Sequence, residues 1–256
     1  MIFVAAGTQD GRELVATLLD SGYEVTASVV SRYGEQLLKS NPDKKLVIND
    51  EPLNLAAMQS YFKEHDITLC VDASHPYAAN VSENAMEACH LLDVPYLRFE
   101  RDLTALDYEK VHIVHSYEEA AAKAAVLGRH IFLTTGSRNL KNFMAEPALK
   151  GCTVTARVLP TSKVMVLCER VGLTPAQIVA VQGPFSTELN KAMFQQYEAD
   201  VIVTKNSGTL GGTDTKLQAA AELGLPVVVI DRPKLEYDNI AYSFSEVLDF
   251  VRREGK

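Results

Sequence analysis

The feature that most constrains the fold is an alternation sustained along the chain: short, β-branched apolar runs separated by segments whose apolar residues recur with helical period. The runs are Ile2–Ala6, Glu24–Val29, Thr68–Ala73, His130–Thr134, Thr153–Val158, Ile178–Val181, Val201–Thr204 and Pro226–Ile230. The helical segments are Gly11–Ser21, Asn54–His65, Ala78–Leu92, Glu118–Leu127, Ser137–Met144, Ser186–Tyr197 and Lys216–Leu223, with Ser245–Arg253 as a last helix able to pack on either half. Uniformly apolar strands are buried on both faces, which calls for parallel sheets covered by helices and places the chain in the α/β class. The alternation weakens after Tyr96, where Arg98 to Val111 is charged and poorly periodic, and it resumes at Tyr117. The expected division is therefore 1–112 and 113–256. Each half should hold a small parallel sheet flanked by helices, with ligands off the carboxyl ends of the strands and an active-site cleft between the halves.

Composition narrows the partners. With 256 residues, 47% of them hydrophobic, there is material for two such cores. No apolar run approaches the roughly 20 residues that span a bilayer, and Met1–Ala6 is too short and too soon followed by Gly, Asp and Arg to be a secretory signal. A cytoplasmic protein without a membrane partner is expected. A formal charge of −8 argues against nucleic-acid binding, which needs an excess or cluster of Lys and Arg. Cys70, Cys89, Cys152 and Cys168 show no C-x-x-C spacing, and the histidines outside the central motif are not clustered, so no metal site is signalled. Nothing in the chain indicates its oligomeric state.

The first apolar run leads directly into Gly7-Thr8-Gln9-Asp10-Gly11-Arg12 and then a helix. A glycine turn at a helix N-terminus lets backbone N–H groups face a phosphate, which makes Gly7, Thr8, Gly11 and Arg12 candidate cofactor contacts. With two glycines rather than the full G-x-G-x-x-G, a plain strand-to-helix turn is an equal reading of the motif alone. The second run ends not in the acid typical of NAD enzymes but in Ser31-Arg32. A hydroxyl and a guanidinium suit a 2′-phosphate and hence NADPH, although Arg32 by itself reads equally as a solvated surface residue.

The third run ends in Asp72-Ala73-Ser74-His75-Pro76-Tyr77-Ala78. Together with Pro95-Tyr96-Leu97-Arg98-Phe99-Glu100-Arg101, Thr134-Thr135-Gly136, Gly183-Pro184-Phe185-Ser186 and Thr204-Lys205-Asn206-Ser207-Gly208, it makes the chain resemble the precorrin-6A reductase family from its first strand to about Arg232. The resemblance implies two Rossmann-like domains, with NADPH in or near the first and a corrinoid between them. It also implies hydride delivery to one carbon of the C18=C19 bond of precorrin-6A or cobalt-precorrin-6A, giving the 6B form in cobalamin biosynthesis, with a proton added to the neighbouring carbon. Neither flavin nor protein-bound metal is implied, and a cobalt ion would be held by the macrocycle. Two departures concern loops: Ala6-Gly7-Thr8 replaces the frequent Gly-Gly-Thr, and Thr209 to Thr213 lengthens the link after Ser207-Gly208.

An acidic macrocycle needs many donors spread over a wide rim, and three loops offer them: Thr135, Gly136 and Ser137; Ser186; and Lys205 and Ser207, with Lys216 about a turn into the next helix. Thr135, Ser137 and Ser186 serve equally as helix caps. Ser74 is assigned to the cofactor side and His75 to the substrate side of the central motif. His75, and less directly Tyr77, are candidate proton donors, against a structural His75 bonded to a backbone carbonyl and a Tyr77 packed in the core. Arg98 and Arg101 either meet substrate carboxylates or are solvated linker charges. Two other classes fit the pattern more loosely: a nucleotide-sugar glycosyltransferase, and a non-catalytic two-domain binder of a small acid, which leaves Gly7–Arg12 unexplained.

Overall fold

The computed structural model describes residues 1–29, 45–100, 104–208 and 211–255, so Ser31, Arg32 and Arg101 lie outside the described residues. The chain forms two compact units: Met1–Arg101 with Pro233–Lys256, and Asp102–Arg232. This differs from the expected division at 112/113 at both ends of the second unit. The first unit ends eleven residues earlier than expected because Val111–Val114 pairs with Val227–Ile230 in the second sheet. The last segment goes back to the first unit, where Ile240 and Ala241 pair with Arg98 and Phe99.

The first unit contains β1 (Ile2–Ala5), α1 (Gln9–Asp20), β2 (Val25–Ser28), β3 (Leu46–Asn49), α2 (Leu55–Glu64), β4 (Leu69–Asp72), α3 (Ala79–Leu92) and β5 (Tyr96–Phe99). The second contains β6 (Val111–Val114), α4 (Tyr117–Leu127), β7 (His130–Leu133), α5 (Leu140–Met144), β8 (Thr153–Val158), α6 (Ser162–Arg170), β9 (Ile178–Ala180), α7 (Thr187–Gln196), β10 (Val201–Lys205), α8 (Thr213–Leu223) and β11 (Val227–Ile230). Then β12 (Ile240–Ala241) and α9 (Phe244–Glu254) complete the first. Among the described residues each unit holds a six-stranded sheet, in the orders β12-β5-β4-β1-β2-β3 and β6-β11-β10-β7-β8-β9. Every pairing is parallel.

In the first sheet, alternate residues of β1 supply two cores. Ile2 and Val4 pack with Leu14, Val15 and Leu18 of α1 and with Val247 and Val251 of α9. Phe3 and Ala5 pack on the opposite face with Met58 and Phe62 of α2 and Ala85 and Ala88 of α3. Because helices cover both faces, the inner strand β1 has no solvent side, and its residues read as an unbroken apolar run. In the second unit Phe132, Ile202, Val227 and Val229 make the corresponding core with Phe194 of α7 and Leu217 and Ala220 of α8. Among the described residues no helix is long and apolar enough to cross a membrane.

Candidate active site

The first sheet reverses its winding between β1 and β4: later strands run outward from β4 on one side, and β2 and β3 from β1 on the other. The loops after these two strands leave in opposite directions, opening the crevice at the carboxyl ends where ligands of such sheets bind. Ala5 pairs with Asp72, so the loops starting at Ala6 and Ala73 share that edge. Thr8 joins them. Its hydroxyl donates to Ala73 O at 2.9 Å and accepts from Gly11 N at 3.0 Å, capping α1. Its side chain is thereby committed to holding the loop. A Cβ on Gly11 would lie 2.8 Å from Ala6 Cα and 3.2 Å from Ala73 O, so only glycine lets α1 start this close to the sheet. A Cβ on Gly7 would meet nothing within 4 Å, which leaves the backbone there open to a ligand. The helix N-terminus and the bare Gly7 backbone fit a dinucleotide phosphate, and Arg12 follows in the first turn.

Behind this edge lies a buried ionic cluster that sequence reasoning did not anticipate. Arg98 is 1% exposed, and its Nη1 sits 3.0 Å from Asp72 Oδ1. The guanidinium also donates to Glu100 Oε1 (2.8 Å), Ser74 Oγ (3.1 Å) and Ser74 O (3.2 Å). Asp72 further accepts from Ser74 N (2.9 Å), Ser82 Oγ (2.5 Å) and Tyr96 Oη (2.8 Å). Burial by itself would raise the Asp72 carboxyl, but the Arg98 charge and the serine hydrogen bonds overcome it and hold the group below the ordinary carboxylate value. Burial likewise opposes the Arg98 charge, and Asp72 and Glu100 more than restore it. Arg98 is therefore neither a solvated linker charge nor a ligand contact at the surface. It spans β4, β5 and the Ser74 turn, fixing the loop that carries His75.

His75 accepts a hydrogen bond at Nδ1 from Tyr77 N (3.2 Å). The His75 and Tyr77 rings lie 5.7 Å apart, centre to centre, and both side chains are half-buried.

The second sheet reverses between β7 and β10, and two of the three hydroxyl-rich loops begin there. After β7, Thr134 anchors to Val203 O through both its N–H (2.8 Å) and its hydroxyl (3.0 Å). Gly136 follows at φ +75 with open space where a Cβ would be. The Thr135 and Tyr117 hydroxyls are both shielded from solvent, and among the described residues neither has a hydrogen-bond partner. Neither Thr135 nor Ser137 caps a helix, because α5 starts only at Leu140, behind Asn139. Ser186 does cap α7, through Leu189 N at 3.2 Å. At the end of β10, the Lys205 ammonium lies 5.6 Å from the centre of the Tyr117 ring. Asn206 grips Thr104 through both amide atoms, at 3.0 and 3.3 Å, and Ser207 N bonds to Thr213 Oγ1 (3.1 Å). Lys216 is buried one turn into α8, which begins at Thr213, three residues earlier than expected. Beside it is a group the sequence reading passed over, Arg157 of β8, also buried. A cation inside an otherwise apolar strand was the available signal.

The family model for precorrin-6x reductase CbiJ/CobK matches residues 1–252. A cobalt-precorrin-6A reductase of Priestia megaterium is 40% identical over 249 residues, covering 97% of this chain and 96% of that one. One of Salmonella typhimurium is 36% identical over 234 residues, covering 91% and 87%. The solved structure of CobK precorrin-6A reductase superposes with a TM-score of 0.81 at 26% identity, covering 99% of this chain and 97% of that one.

Proposed function

The chain belongs to the precorrin-6x reductase family, oxidoreductases acting on a carbon–carbon double bond, and from that premise we propose that it uses NADPH to reduce the C18=C19 bond of cobalt-precorrin-6A or precorrin-6A. Membership sets aside the glycosyltransferase and the non-catalytic binder. The observation that carries the cofactor half is the pair of glycines at the winding reversal, Gly7 with an open backbone and Gly11 where a Cβ would press on Ala6 and Ala73. Gly7, Thr8, Gly11 and Arg12 form the phosphate loop, with Ser74 on the adjoining turn. Ser31 and Arg32 receive the 2′-phosphate, a reading that rests on the sequence. Thr135, Gly136, Ser137, Ser186, Lys205, Ser207 and Lys216 offer donors to the substrate's carboxylates, and the unpartnered Thr135 hydroxyl supports that use. Arg101 belongs to the same proposal on sequence grounds. The cytoplasm, where NADPH is regenerated, is the proposed location.

The nicotinamide supplies the hydride, which leaves the protein to orient the reactants and exclude water. A proton must reach the neighbouring carbon. The His75 side chain, in its protonated form, is one candidate source, and a substrate carboxylate or water offers another. Mixing the purified protein with NADPH and cobalt-precorrin-6A should consume NADPH and yield a product heavier by two hydrogens. Arg32→Ala should narrow the preference for NADPH over NADH by roughly tenfold, as expected for one charge-assisted contact. No turnover with either the metal-free or the cobalt-loaded substrate would refute the proposal.

A further inference from the structure

Two basic side chains, Arg157 and Lys216, lie buried inside the second unit, and among the described residues neither is in ion-pair contact with a carboxylate. Each is 7% exposed. Buried charges are ordinarily paired, so two basic groups without such a contact are a cost that a ligand can relieve. Arg157 spends Nη1 on Asn190 Oδ1 at 2.7 Å, with Met193 Sδ at 3.7 Å, and among the described residues makes no hydrogen bond through Nε or Nη2. Its guanidinium carbon stands 4.3 Å from the centre of the Phe185 ring, and burial brings its pKa down to about 10. Lys216 uses one of its three donors, on Gly211 O at 3.1 Å. Burial first, and then the charge of Arg157, with a smaller push from Lys205 and against the pull of Asp214, bring its pKa to about 7.

Asn190 connects the two positions. While its oxygen holds Arg157, its nitrogen donates to Ser186 O (2.9 Å), Thr215 Oγ1 (3.3 Å) and Phe185 O (3.4 Å). Thr215 adjoins Lys216 in α8, and Phe185 and Ser186 belong to the loop after β9. The amide is saturated, so it is a positioning residue. It fixes one edge of the guanidinium and leaves the fork available for a planar, bidentate acceptor.

We propose that Arg157 and Lys216 form a carboxylate subsite, held by Asn190, that receives one acetate or propionate arm of the tetrapyrrole. The proposal rests on the reading of the second unit as the substrate's. It adds a specific anchor for one arm and a proton event: an arriving carboxylate favours the charged ammonium, so Lys216 takes up a proton when the substrate binds.

Calorimetry of cobalt-precorrin-6A binding to the full chain without nucleotide, in two buffers of different ionisation enthalpy at pH 8, tests both features. Arg157→Met and Lys216→Met should each weaken binding about tenfold, and Arg157→Lys by less, with melting temperatures reporting folding. NADPH affinity should stay within about twofold, since the subsite serves the substrate. Wild type should take up protons on binding, Arg157→Met fewer, and Lys216→Met none. Unchanged substrate affinity in Arg157→Met and Lys216→Met, alongside a loss in Lys205→Met, would overturn the subsite and spare the substrate assignment. Unchanged affinity in all three would overturn both. Loss of NADPH affinity, or proton uptake surviving in Lys216→Met, would also overturn the subsite.

Discussion

Replacing Arg98 by methionine keeps most of the side-chain volume in the first unit and removes the charge opposite Asp72. Six groups then lose a donor: the Asp72 carboxylate and carbonyl, the Ser74 hydroxyl and carbonyl, the Ser82 hydroxyl, and Glu100. Removing one partner of a buried pair costs about 3–5 kcal/mol, chiefly because the other charge stays buried and unanswered. For a chain of this size that lowers the melting temperature by on the order of 10 °C. The pH dependence identifies the cause. In wild type the Asp72 carboxyl is held below its unfolded value, so its contribution is complete above that value and fades as pH falls through the folded one. In the variant, burial acts without the guanidinium and pushes the carboxyl above its unfolded value. The deficit should be largest at pH 8 and shrink as pH falls through the raised value. Denaturant unfolding of wild type, Arg98→Met and Asp72→Asn/Arg98→Met at pH 5 and pH 8 would measure this, and the double variant should recover part of the loss. A deficit under about 1 kcal/mol, or one equal at both pH values, would refute the argument that a buried charge pair holds the Ser74 turn.

Gly11→Ala places a methyl 2.8 Å from Ala6 Cα, so it should cost about 1–3 kcal/mol by overpacking and weaken NADPH binding, read by melting curves and nucleotide titration. Full NADPH affinity in that variant would contradict the phosphate-loop reading. His75→Ala should slow turnover without abolishing it, because other proton sources remain; complete loss of activity with intact folding and substrate affinity would make His75 the indispensable donor. Without ligand, Lys216→Met should raise the melting temperature at pH 7. The sign follows from a folded value of about 7, far below the ordinary lysine value: the penalty on charged Lys216 is complete below about pH 7 and fades as pH rises towards about 10.4. The gain should therefore shrink on going to pH 10, and a variant less stable than wild type at pH 7 would refute it.

Local hydrophobic pattern determined much of this protein. The inner strands β1, β4, β7, β10 and β11 are buried among neighbours on every side, so each is written as an apolar run, and the caps Thr8 and Ser186 stand beside the helices they start. The family motifs were equally legible, because loops at the carboxyl ends of strands carry their chemistry in contiguous residues. What escaped the sequence reading depends on contacts between distant residues. The edge strands β3, β6 and β12 are half-exposed or only two residues long and carry no strong pattern. In sequence, Arg98 is one of several charges after Tyr96; Asp72, 26 residues away, makes it a buried strut. The return of 233–256 to the first unit required an open sheet edge at β5, which only the assembled sheet provides. Burial of an apolar residue is announced by its own neighbours, whereas a buried charge is tolerated only where the tertiary structure supplies its partner or leaves room for one.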